Sequence, residues 1–246
     1  MNARPLLGLA TAGLLLTAWE VAGRVGATGL FPPVSDALRE LAAIDVRTDV
    51  LPSAGRAIAG FLLGSLAGAL LGVGIGWFRA LEPWVRPSLE LLRAIPPPAV
   101  LPAAVLALGP TSGMRITVIA AAAMWPVLIA GVDATRAVEP RYVDVARISG
   151  ARPYTVILPA VLPALVTAMR VALGIALIMM VISEMIAATG GLGYLILQAQ
   201  RTYAMAQMYA GIIVLGLLAL AVTGVFGLLE RRVLRWYHDW RAIVDG

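Results

Sequence analysis

The chain has 246 residues, 60% of them hydrophobic and 13% charged, with a mean hydropathy of +0.88. Such a composition leaves too little polar surface to cover a soluble core, and it points to a polytopic membrane protein. The absence of cysteine excludes disulfides and thiolate metal sites, and the single histidine, His238, excludes a histidine cluster. The net charge of +5 comes with no basic patch interleaved with aromatics, so it gives no nucleic-acid reading.

The apolar runs are continuous rather than alternating, which predicts membrane helices and argues against a barrel. The first run is Pro5 to Val21. With Arg4 in front it also matches a signal peptide, but it lacks a small-x-small cleavage site and further spans follow, which favours a retained helix. Gly23 to Ser53 is the longest polar region. There "PPVSDALREL" predicts a short amphipathic surface helix with its serine at the N-cap.

A second span is expected over Ala54–Phe78. Gly60, Gly64, Gly68, Gly72 and Gly76 recur every fourth residue in it, a smooth stripe suited to close helix packing. The polar stretch "FRALEPWVRPSLELLR" precedes a third span, Leu91 to Leu108, containing "IPPPAVLP". Each proline there removes a backbone donor, so this span is expected at an interface or along a path where its freed carbonyls are satisfied. A fourth span is expected over Ile116–Asp133, a fifth over Pro163–Ala187 and a sixth over Tyr209–Leu229, followed by the amphipathic tail "ERRVLRWYHDWR".

All positive charge is arginine. With six spans and a cytoplasmic N-terminus, Arg4, Arg79, Arg86, Arg93, Arg136, Arg141, Arg147, Arg152, Arg231, Arg232, Arg235 and Arg241 fall inside. Arg24, Arg39, Arg47, Arg56, Arg115 and Arg201 fall outside, and Arg170 lies within the fifth span. That bias puts both termini and the stretch Val143 to Pro163 in the cytoplasm.

This stretch, "VDVARISGARPYTVILPAVLP", resembles the loop motif of ABC-importer permease subunits: Glu-Ala-Ala, three residues, Gly, about nine residues, then Ile-x-Leu-Pro. Ala146 and Gly150 match, while Asp144 and Val145 stand where the family prefers Glu and Ala. The run from Gly150 to Leu158-Pro159 is about one helical turn short of the family pattern. Further pieces agree in order: "FPPVSDAL", "LEPWVRPSLELLRAIPPPAVLP", "MRVALGIALIMMVISEMIAATGGLGYLI" and "LLERRVLRW". Over nearly the whole chain it is similar to the branch importing nitrate, alkanesulfonates and taurine in the bacterial inner membrane.

The resemblance implies an all-α, type I ABC importer transmembrane domain. Residues 1–53 would hold the first helix and an extracytoplasmic amphipathic segment, 54–235 the core permease with its coupling loop at 136–162, and 236–246 a cytoplasmic tail. It implies as partners a second copy of the chain, two ATP-binding cassette subunits, an extracytoplasmic solute-binding protein and membrane lipid. ATP and Mg would sit in the partner ATPase, with no cofactor in this chain, which has no Gly-x-x-x-x-Gly-Lys-Ser/Thr run. The solute would be a sulfonate, taurine or nitrate, with a pyrimidine vitamin precursor or an aromatic carboxylate as alternatives.

For ATPase docking the candidates are Asp144, Ala146, Arg147, Gly150, Ala151 and Pro159. Ala146 and Gly150 are spaced to share a helical face, and Gly150 suits a helix end. For the path or gate they are Pro97, Arg170, Met180, Ser183, Glu184 and Gly191. Glu184 lies deep in an apolar run and is read with equal weight as a path or gate residue or as a structural hydrogen-bond partner of a neighbouring helix or of "GGLG". Arg170 is read as snorkelling to headgroups or as positive charge for a departing anion. Met179, Met180 and Met185 are read as adaptable packing. A stand-alone transporter or channel predicts inverted repeats or charge rings, and an intramembrane enzyme predicts paired catalytic groups. The sequence displays neither.

Overall fold

A computed structural model describes residues 4–26, 29–78 and 80–237, so Arg79, His238, Arg241 and the tail beyond Tyr237 lie outside the described residues. Among those residues the chain consists of helices, with no strand. The helices are α1 (Arg4–Val25), α2 (Val34–Glu40), α3 (Leu51–Trp77), α4 (Glu82–Arg93), α5 (Leu101–Leu108), α6 (Ser112–Ala137), α7 (Pro140–Ile148), α8 (Tyr154–Ala187), α9 (Leu192–Arg201) and α10 (Met205–Val233). Four described stretches are long and apolar enough to cross a membrane: Val46–Trp77, Ser112–Ala137, Tyr154–Ala187 and Met205–Val233. A fifth results if the bent pair Pro83–Arg93 and Pro97–Leu108 counts as one span. Helix α1, expected as a span, is 22 residues long.

The core is the packed set α3, α6 and α8, and the glycine stripe decides how closely the first two approach. A methyl group added at Gly68 would lie 2.5 Å from the Met124 carbonyl oxygen, and one at Gly76 2.7 Å from Thr135 Cβ. Gly60, Gly64 and Gly72 are equally tight against Ile119, Ala120 and Leu128. Backbone therefore meets backbone along α3 and α6, the close approach that small residues allow in a membrane. Ile119, Leu173 and Met180 fill the adjoining space with Leu101, which is the buried anchor of α5.

The expected third span is not one helix. Its two arms are bent by 82° at the prolines, with a 3₁₀ turn at Pro97–Val100 between them. Pro96, Pro97 and Pro98 cannot donate to the ladder, and each restricts the residue before it, so the helix stops at Arg93 and resumes at Leu101. The expected fifth span begins earlier than Pro163. Helix α8 runs 34 residues, about 50 Å at 1.5 Å per residue, with Pro159 and Pro163 inside it. Its length places α7 at one end of the bundle and α9 at the other.

Ser35 is not the N-cap of α2. That position is Pro33, which makes no side-chain cap. Instead Glu20 of α1 reaches over, accepting from Ser35 N at 3.0 Å and from Ser35 Oγ at 2.9 Å. A carboxylate from another helix thus satisfies a free N–H of the first turn. Trp19 Nε1 donates to Pro32 O at 3.1 Å, and its ring packs with Phe31 and Tyr209, which joins α1 and α2 to α10. The most apolar stretch of α10 buries no residue within the chain.

Candidate functional site

Two regions carry the candidate residues, one at each end of α8. At its start stands α7, which begins with Pro140 and ends in a Schellman closure. Gly150 N donates to Arg147 O at 3.1 Å and Ala151 N to Ala146 O at 2.8 Å. Gly150 has φ +74°, a left-handed conformation that only glycine adopts freely, so the chain reverses there and re-enters the bundle as α8. Ala146 points inward and is buried, and Gly150 lies beyond the helix, so the two do not form one outward face. The outward face is Tyr142, Val145 and Ile148, the last 87% exposed. Asp144 and Arg147 approach to 3.5 Å and line a groove with Gly76, Trp77, Val143 and Ile157. Pro159 is exposed on the first turns of α8 rather than in a separate loop.

At the far end of α8 sits Glu184, 0% exposed. Its Oε1 accepts from Arg56 Nη1 at 2.6 Å, and its Oε2 accepts from Gly193 N at 3.0 Å. Ser53 Oγ lies 2.9 Å and 2.8 Å from the two oxygens and itself accepts from Leu192 N at 2.9 Å. Arg56 Nη1 also reaches Gly190 O at 3.3 Å. The carboxylate and Ser53 Oγ therefore hold the first two N–H groups of α9, those of Gly193 and Leu192, and tie them to α3. Full pairing is what makes a buried charge tolerable. Gly191, with φ +112°, passes so close that an added methyl would lie 2.7 Å from the carboxyl group. Of the two roles read for Glu184, the geometry fits the structural one, with hydrogen bonds both to the neighbouring helix α3 and to "GGLG".

Beside it, Arg115 of α6 is 5% exposed. Its Nη1 donates to Ala187 O, the end of α8, at 2.5 Å, and its Nη2 to Ser112 Oγ at 3.1 Å. The three core helices thus each place one charged residue around the turn into α9. Sequence reasoning missed Ser53, Arg56 and Arg115 as partners and counted both arginines with the outer loops. The available signal was their position inside apolar helices opposite a buried acid, because charges within a membrane pair with one another.

The remaining candidates are dispersed. Met180 and Ser183 are fully buried, and Ser183 Oγ donates to Met180 O at 2.9 Å, so both are core. Arg170 Nε donates to Glu230 Oε2 of α10 at 3.1 Å, and Nη2 joins the same oxygen, a partner sequence reasoning did not name. Pro97 lines an apolar groove with Leu92, Ala104, Val118 and Trp125 between the bent pair and α6.

Long apolar helices, one span broken by prolines and a short helix projecting from one end define a polytopic helical membrane protein. Residues 50–235 match the family described as binding-protein-dependent transport system inner membrane component, and the chain belongs to that family. It is 32% identical over 245 residues to the putative aliphatic sulfonates transport permease protein SsuC of Bacillus subtilis (strain 168), covering 96% of this chain and 89% of that one. It is 30% identical over 248 residues to the taurine transport system permease protein TauC of Escherichia coli (strain K12), covering 95% and 90%. Among ABC transporter permeases it stands in the sulfonate, taurine and nitrate importer branch. Its fold is like that in inward-facing structures of the MetNI methionine ABC transporter, with TM-score 0.56 and 21% identity over 77% of this chain and 94% of that one.

Proposed function

We propose that the chain is the membrane-spanning subunit of an ATP-driven importer of the bacterial inner membrane. Two copies pair, two ATP-binding cassette subunits dock from the cytoplasm onto α7, and an extracytoplasmic binding protein delivers the solute. ATP and Mg²⁺ belong to the ATPase, and this chain transmits its movement. The α7 end and both termini face the cytoplasm, in keeping with the arginine bias. The solute is a small sulfonate, taurine or nitrate, a reading supported by the relatives' names.

The observation that carries this reading is the exposed apolar face Tyr142, Val145 and Ile148 on a short helix held out by the Gly150 turn. An apolar stripe of this kind lies down in a groove on a partner. The side of α7 toward the bundle is already filled by Ala146, so docking uses the residues around it. Co-purification with the neighbouring ATPase subunit tests it. Wild-type chain retains the ATPase and Ile148→Asp releases it. Transport by the chain without an ATPase, or failure of wild type to retain one, defeats the proposal.

A further inference from the structure

Helix α4 turns charge toward its own bundle. Arg86, Glu90 and Arg93 recur at helical spacing and share one side. With Leu89 they line a cavity of about 150 Å³ whose opposite wall is Leu128, Ile129, Val132 and Asp133 of α6. Trp84 and Leu91 of α4 face away, 83% and 72% exposed. In a bilayer the apolar side meets lipid or another membrane helix, and the charged side requires water or a polar solute in the gap.

The charges in this cavity are not all paired. Arg86 Nε lies 3.6 Å from Glu90 Oε1, so these two offset each other. Among the described residues, neither the Arg93 nor the Asp133 side chain forms a hydrogen bond or ion pair. Among those residues, Arg93 on α4 and Asp133 on α6 therefore remain across an aliphatic floor. We propose that this cavity binds a small zwitterionic solute, with its anionic head on Arg93, its ammonium on Asp133 and its methylene linker on Leu128 and Val132. A guanidinium offers several donors in one plane, which suits a sulfonate or carboxylate head. A plain anion would bring like charge against Asp133, so the same carboxylate selects against it. The assignment rests on the importer reading and narrows its solute, within the sulfonates, to an amino-sulfonate.

Because the chain has no cysteine, Ile129→Cys places a single thiol on the cavity wall. Maleimide alkylation of that thiol is followed in the full-length chain in nanodiscs, with taurine, ethanesulfonate or ethylammonium added. Taurine is expected to slow alkylation about tenfold when it exceeds its Kd about ninefold, while the two single-charge probes leave the rate unchanged. Arg93→Gln and Asp133→Asn each abolish protection, and Arg93→Lys and Asp133→Glu restore part of it. Equal protection by ethanesulfonate, protection that survives both neutral substitutions, or no protection by any probe overturns the assignment. ATPase co-purification is read separately, so loss of the importer reading is distinguishable from loss of the site.

Discussion

Arg56 and Glu184 lie 128 positions apart in sequence, yet their Nη1 and Oε1 atoms meet at 2.6 Å, with the Glu184 side chain fully buried and that of Arg56 13% exposed. Removing one partner leaves a charge in a low-dielectric site. Arg56→Met is expected to destabilise the chain by about 3–5 kcal/mol, with the double substitution Arg56→Met, Glu184→Met costing less than either single change. Thermal unfolding in detergent measures all three. A double variant as unstable as the sum of the singles would mean that the pair is not coupled.

The glycine stripe has a built-in control. Gly68→Ala forces α3 away from the Met124 carbonyl and is expected to cost about 1–3 kcal/mol. On the open side of the same helix, Gly74 has no atom within 4 Å of an added methyl, so Gly74→Ala gains about 1 kcal/mol from helix propensity. Opposite signs in the two melting temperatures confirm the packing, whereas equal shifts would contradict it.

At Gly150 the left-handed backbone sets the outcome. No atom crowds the position, so the penalty of a side chain is conformational, about 1–2 kcal/mol. Gly150→Val should uncouple ATP hydrolysis from transport in the reconstituted complex while the bundle still folds. Gly150→Asn should recover most of the coupling, because Asn tolerates this region. Coupled transport that is unchanged in the Val variant would remove α7 orientation from the mechanism.

The Arg170–Glu230 pair joins α8 to α10, but Arg170 is largely exposed. Its replacement by Gln is expected to cost no more than about 1 kcal/mol, with the effect fading at high salt. A salt titration of the melting temperature checks this. A large, salt-independent loss would point to a buried role.

The sequence by itself determined what depends on neighbours along the chain. Continuous apolar runs mark the spans, four-residue glycine spacing marks the α3 face that packs, and Gly150 with Pro153 marks the turn out of α7, because each is a local property of the backbone or of one helix surface. The family resemblance was legible for the same reason, in motifs of contiguous residues. Only the tertiary structure decided what depends on residues brought together from afar. It joined Glu184 to Arg56 and Ser53, turned Ala146 inward and Ile148 outward, and set α4 at an angle to α5 with its charges facing α6. A charge inside an apolar run must find a partner, and a helix must choose a face. Which partner and which face follow from packing among α3, α6 and α8, which no local pattern encodes.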